Sequence, residues 1–468
     1  MWICELSLVL YRIQEILRYV ATRLYKRTRR AINKKRNDMK RLATAILALC
    51  CSLATQALDR QQVLKVYNWG DYIGVGVIEK FEKWYQQVTG QSIKVSYVTY
   101  DYPEDYFYKI KNRQIEVDVF CPAEYLAERM MKHKLLMPID TSFVSQGIPN
   151  YLHGTSPFID NILQLIGEAQ GINAKDYTAG YLWGNTGVLI NTKYVKPEEV
   201  SSWGFLLDSK YRGKVIMKDS FSDVYNVLIN YAFYDDIKSG IASRNLLAAY
   251  LTNRNIAIVE DLLKTARPQM KKFDVEGDKR LMAAGKEWMS VTWNGDAKWA
   301  IDEASDDTNL QYIVPIEGSD CWVDCWVIPT TCKNIKAASL WINFLCRPDI
   351  ALSCMQETGY SSAIGTPEIL QAVTNDSLPA INLSYFFGPE ATAVHVDSVM
   401  YPTNDVISRC SFLRDSGDRQ EVLREIWEKI KKKTIVDYWF YVFAGSVALL
   451  MIIITTLLLR QKKTTTIK

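Results

Sequence analysis

Residues 321–329 read CWVDCWVIP, an apolar run with one carboxylate inside it and a proline at its end. Its length, its Trp, Val and Ile content and its terminal proline make it a β-strand. Successive strand side chains point to opposite faces, so Trp322, Asp324 and Trp326 share one face and Cys321 and Cys325 the other. The two cysteines lie roughly 13 Å apart at about 3.3 Å per residue, beyond the ~7 Å reach of a disulfide.

Outward from this strand the same type of segment recurs. VLKVYNW (63–69), SIKVSYVTY (92–100), EVDVFCP (116–122), TAGYLWGNTGVLIN (178–191), KVIMKD (214–219), EWMSVTWNG (287–295) and LQYIVP (310–315) all read as strands. Helical segments stand between them. In VIEKFEKWYQQVTG (77–90), Val77, Ile78, Phe81, Trp84 and Tyr85 recur at helical spacing and Gly90 supplies a stop. YFYKIKN (106–112) is a second helix, and ASLWINFLC (338–346), with Pro348 just beyond it, is a third. This rhythm predicts an α/β fold with mostly parallel sheets. No internal repeat is present, and a body of this size predicts two lobes rather than one sheet.

In open α/β sheets ligands bind off the carboxyl ends of strands. Trp69, Gly70, Asp71 and Tyr72 follow the first strand, and Ala123, Glu124 and Tyr125 follow EVDVFCP. Lys218, Asp219, Ser220 and Asp223 follow KVIM, and Trp293, Asn294, Gly295 and Asp296 follow MSVT. An aromatic ring paired with a carboxylate is the recurrent theme. A packed tryptophan beside a surface aspartate accounts for any single pair. Four pairs at strand ends point to an organic cation, whose methylenes lie against rings worth about 0.5–2 kcal/mol per cation contact. Its ammonium groups take charge-assisted hydrogen bonds from carboxylates.

Charge is unevenly spread. The 56 Lys+Arg and 52 Asp+Glu give a net +4, but residues 1–58 carry +9, residues 431–468 carry +6 and the body between them −11. An acidic body disfavours nucleic acid as a partner. The ends look membrane-related. YWFYVFAGSVALLMIIITTLLL (438–459) is uncharged and, as a helix, spans roughly 33 Å against a hydrocarbon core of about 30 Å. A transmembrane helix over 434–459 and a basic cytoplasmic tail over 460–468 are therefore expected. MKRLATAILALCCSLATQALD (39–59) has the basic, apolar and small-residue regions of a secretory signal, with cleavage after Ala57. An uncleaved anchor or lipidation at Cys50 or Cys51 are the competing forms. Residues 1–38 are a basic extension, either a surface helix or the product of an early start assignment.

Only three histidines occur, His133, His153 and His395, and there is no CxxC pair, so neither a zinc nor a redox site is expected. No cofactor is expected either. No G-x-S-x-G or other nucleophile–base pattern points to an enzyme. Without a GxxxxGK[ST] loop, any ATPase belongs to another chain.

The segments VYNWGDYI, EVDVFCPAEYL, YLWGNTGVLIN, TWNGDAKWA, CWVDCWVIP, INFLCRPDIA and ETGYSSAIG, in this order, resemble the extracytoplasmic polyamine-binding proteins of ABC importers, the spermidine/putrescine class. The resemblance covers most of residues 63–430. It implies a two-lobe periplasmic-binding-protein fold of type II with a ligand cleft between lobes. Lobe 1 would comprise 59–186 and 325–370, and lobe 2 would comprise 187–324 and 371–430. It assigns Trp69, Tyr125, Trp293, Trp322 and Tyr360 to the ligand's methylene chain, and Asp71, Asp223 and Asp324 to its ammonium ends. Asp296, completing W-x-G-D, resembles putrescine-type members. Ala123 and Ser220 depart from the pattern by removing a hydroxyl and an acid, and Leu413 stands about where some members have a glutamine. The function implied is capture of putrescine or spermidine at the outer face of the membrane and delivery to separate permease subunits. Ferric iron bound through the tyrosines of 97–108, or a role as polyamine sensor, are the alternatives.

Overall fold

The computed structural model describes residues 60–168 and 170–432, together with Ser446, Val447 and Met451. The chain divides into two compact units, residues 1–63 and 64–468. Of the first, residues 60–63 are described.

Among the described residues the main sheet has twelve strands, ten of which frame the site: β1 (Val63–Trp69), β2 (Lys94–Tyr100), β3 (Val119–Phe120), β4 (Leu136–Met137), β5 (Thr178–Asn191), β6 (Val215–Lys218), β7 (Met270–Asp274), β8 (Met289–Trp293), β9 (Leu310–Ile313) and β10 (Ser319–Pro329). Their order is β2-β1-β3-β10-β5-β8-β6-β7, with β4 beside β10 and β9 beside β5. β1 is parallel to β3, and β6 is parallel to β7 and β8. The expected mostly parallel sheet is interrupted at its centre, because β5 and β10 run antiparallel to each other and to their neighbours β8, β9 and β3. Both are buried along their whole length. The first half of β5 pairs with β10 from Thr178 to Asn185, and its second half pairs with β8 and β9 from Thr186 to Asn191. One long strand thus serves two half-sheets, each with its own core.

The first core gathers Leu64, Val66, Phe81, Phe120, Trp326 and Trp341, and takes in Leu383, Phe386, Tyr401 and Leu413 from late in the chain. The second gathers Val188, Met217, Leu228 and Val291 with Leu423, Ile426, Trp427 and Ile430. The helix Val77–Thr89 turns Phe81 onto Trp341, ring centroids 4.9 Å apart, and ends where Gly90 adopts φ +72° and donates its N–H to Gln86. That conformation costs glycine nothing.

The expected C-terminal transmembrane helix is corrected. Among the described residues no helix is long and apolar enough to cross a membrane. Asn253–Ala266, among the longest, has 14 residues, about 21 Å at 1.5 Å per residue and short of the ~20 residues a span needs. Residues 419–432 form an amphipathic helix whose apolar side packs into the second core while its charged side is solvated. Residues 434–459 themselves lie outside the described residues except for Ser446, Val447 and Met451, and so do the expected signal segment, the basic extension and the tail. Cys121, Cys321, Cys325, Cys346, Cys354 and Cys410 are buried free thiols.

Candidate ligand-binding cleft

The strands deliver their ends to one place. β1 stops at Trp69, and the chain turns through Asp71 at φ +45°, a left-handed conformation that aspartate tolerates better than most residues. β8 stops at Trp293, where the helix Asn294–Asp302 begins. Asp223 lies in the first turn of the helix Phe221–Ala232, where the helix dipole favours a carboxylate. In β10 the pairing with β5 steps from Val323↔Trp183 to Cys325↔Gly180, so two residues of β5, Tyr181 and Leu182, stand opposite Asp324, which itself bridges Ala123. Trp326, expected on the same face, packs in the first core against Tyr181 and Trp341 instead.

Two glycines let rings lie close to backbone. A Cβ on Gly184 would come within 2.9 Å of the Trp322 ring, and one on Gly295 within 2.2 Å of the Tyr360 ring. Trp69, Trp293 and Trp322 then follow one another edge to face, centroids 6.2 and 5.9 Å apart, and Tyr360 tilts against Trp322 at 5.5 Å. They enclose a cavity of about 50 Å³, several times the 10–15 Å³ a single ordered water needs. Trp69, Asp71, Tyr125, Asp223, Trp293, Asp296, Trp322, Asp324 and Tyr360 all stand on its wall.

The acids on that wall are not equivalent. Asp324, 4 % exposed, accepts from Trp69 Nε1 at 3.1 Å and from the Tyr72 hydroxyl at 2.8 Å. Asp223, equally buried, accepts from Trp293 Nε1 at 2.7 Å. Among the described residues neither has an ion-pair partner. Burial pushes the Asp324 carboxyl up to about 7, against the opposing bonds from Tyr72 and Trp69 and with the nearby Asp223 charge adding to the rise. Burial raises Asp223 too, although hydrogen bonds from Trp293 and its neighbours oppose it. Behind it Asp320 is raised well above the carboxylate range by burial and by the charge of Asp223.

Two other acids are already matched. Asp296 lies between two lysines, with Lys218 Nζ 2.7 Å from one oxygen and Lys279 Nζ 3.3 Å from the other. Burial works to raise its carboxyl, but the two ammonium groups win and hold it below its ordinary value. Asp71 pairs with Arg280 at 2.7 Å. The Tyr125 hydroxyl is spent on Glu104 at 2.6 Å, so Tyr125 offers the cavity its ring. Glu276 and Lys279 line the cavity as well, and sequence reasoning missed both. They follow β7, whose charged sequence MKKFD does not read as a strand; had it done so, the strand-end rule would have found them. The tyrosines of 97–108 are engaged elsewhere: Tyr100 donates to the Cys121 carbonyl, Tyr97 accepts from the Asn68 side chain, Tyr102 donates to Asp219 at 2.8 Å, and Tyr106 meets Tyr67 edge to face.

A two-lobed α/β receptor with an aromatic, acidic cleft where its strands end is the class this architecture defines. Residues 76–380 match the bacterial extracellular solute-binding protein family, and the chain belongs to that family. It is accordingly a binding protein and not an enzyme. It is 27 % identical over 391 residues to the spermidine/putrescine-binding periplasmic protein of Salmonella typhimurium, covering 83 % of this chain and 97 % of that one. It is 26 % identical to the putrescine-binding periplasmic protein PotF of Escherichia coli, over 69 % of this chain and 82 % of that one. Among solved structures, a putative spermidine/putrescine ABC transporter protein from Listeria monocytogenes superposes with a TM-score of 0.62 at 25 % identity, over 79 % of this chain and 99 % of that one.

Proposed function

We propose that this chain is an extracytoplasmic receptor that captures a polyamine, putrescine or spermidine, and hands it to the permease of an ABC importer. One observation carries the reading. Two buried carboxylates, Asp223 and Asp324, sit in a box of aromatic rings, each fixed by an indole N–H and neither matched by a cation among the described residues. Burying a carboxylate unpaired is costly, and an arriving ammonium removes that cost. The rings of Trp69, Trp293, Trp322 and Tyr360 cover the methylenes between two such ammonium groups. The names of the relatives support the same ligand class. A metal ligand fits less well, since no cluster suited to a metal occurs among the described residues. In this reading the nine residues expected from the sequence divide by role. Asp223 and Asp324 take charge, Trp69, Tyr125, Trp293, Trp322 and Tyr360 form walls, and Asp71 and Asp296 act through the cations they hold. Titration calorimetry of the purified chain with putrescine and spermidine should give micromolar or tighter binding; no heat with either ligand sinks the reading.

A further inference from the structure

The cleft contains an ammonium of its own. Lys279 is 4 % exposed, and its Nζ lies 3.3 Å from Asp296, 3.7 Å from Glu276 and 3.8 Å from Asp71, with the Trp299 ring 5.5 Å away. Carboxylates around an ammonium beside an indole face are the same chemistry that Asp223 and Asp324 offer an incoming amine. Local structure does not ask for a lysine here. Lys279 stands in the first turn of the helix Asp278–Ala283, where the helix dipole opposes a cation. Asp296 is already neutralised from behind by Lys218, which is fully buried and also bonds the Val275 carbonyl at 2.7 Å. Lys279 is also a wall residue of two cavities. It lines the aromatic one and a second of about 310 Å³ that shares Trp69, Asp71 and Tyr72 with it. It thus stands where a longer ligand would run on toward Asp71 and Glu276.

We propose that Lys279 is a specificity determinant that fills the third cation position of the cleft, so that the ligand brings two ammonium groups, to Asp223 and Asp324, and a diamine is favoured over a triamine. The proposal rests on the polyamine reading. Three of the acids lining the cavity surround this one ammonium. A third ligand ammonium would have to displace it or go without a carboxylate, and either loses affinity.

Calorimetric titrations of the full chain with putrescine and with spermidine test this directly. The parent should bind putrescine at least tenfold more tightly than spermidine. Lys279→Met, which keeps the stem and removes the charge, should raise the spermidine-to-putrescine affinity ratio at least tenfold. Lys279→Arg, which keeps the charge, should retain the diamine preference. A ratio unchanged in Lys279→Met, or a parent that prefers spermidine, overturns the proposal while leaving the polyamine reading intact. If circular dichroism shows Lys279→Met unfolded, the parent's own order of preference decides. A parent that binds neither polyamine overturns the polyamine reading, and this inference falls with it.

Discussion

Asp324 shows how much one side chain can be asked to do. It sits opposite a bulge in β5, is held by an indole and a phenol, and is buried without a cation among the described residues. Asp324→Asn and Trp322→Ala should each weaken polyamine binding by at least ~1 kcal/mol, the scale of a charge-assisted contact or more; calorimetry showing unchanged affinity in both would place the ligand elsewhere. The raised carboxyl has a sign that can be checked. Below about pH 7 Asp324 holds a proton that an ammonium must displace. Affinity should therefore climb from pH 5 to 7 and level off above it. Titrations near pH 6.5 in buffers of different ionisation enthalpy should register proton release to the buffer, and proton uptake would contradict the assignment. Trp69, Asp71, Trp293 and Asp296 were legible because each stands at or just past a strand end, Asp223 because it follows β6, and Trp322 and Asp324 because they share one face of β10. What the sequence could not show is which acids are already spoken for. Lys218 and Asp296 are 78 residues apart, and nothing local announces that they meet.

At the scale of elements, β1 and β5 have the limits their residues suggest, since each is an apolar run bounded by turn residues. β7 escaped because three of the five residues in MKKFD are charged, and its burial pattern is mostly intermediate. The direction of β5 and β10 also escaped, because alternation fixes faces and says nothing of which way a partner runs. The glycines carry a further expectation. Gly295→Ala places a methyl group into the Tyr360 ring, and overpacking of this sort costs about 1–3 kcal/mol. The variant should melt lower in differential scanning fluorimetry and bind polyamine more weakly, because the ring it displaces lines the cavity. A variant of unchanged affinity would show that Tyr360 is not part of the wall that matters.

For the whole molecule, the buried acids link stability to pH. The folded state holds the Asp324 proton up to about pH 7, whereas an unfolded chain releases it near 3.9. Between these values the folded state binds more protons, so this group's contribution falls as pH rises through that window. Asp324→Asn removes the effect. In urea unfolding, its stability relative to the parent should improve from pH 4.5 to pH 8; a difference independent of pH would mean Asp324 is ionised throughout. Saturating polyamine should stabilise the parent by about 2.7 kcal/mol at a hundred times the dissociation constant. The interleaving of the two half-sheets bears on when the molecule can form at all. Phe120 of β3 pairs with Val327, and Trp69 bonds Asp324 across 255 positions of chain. Such pairings close slowly, and none can begin until both partners have been made. The β2-β1-β3 edge therefore waits for β10 until most of the polypeptide has left the ribosome. For a protein that works outside the cytoplasm this delay is an asset, since a chain that cannot finish folding early is still thin enough to be threaded across a membrane.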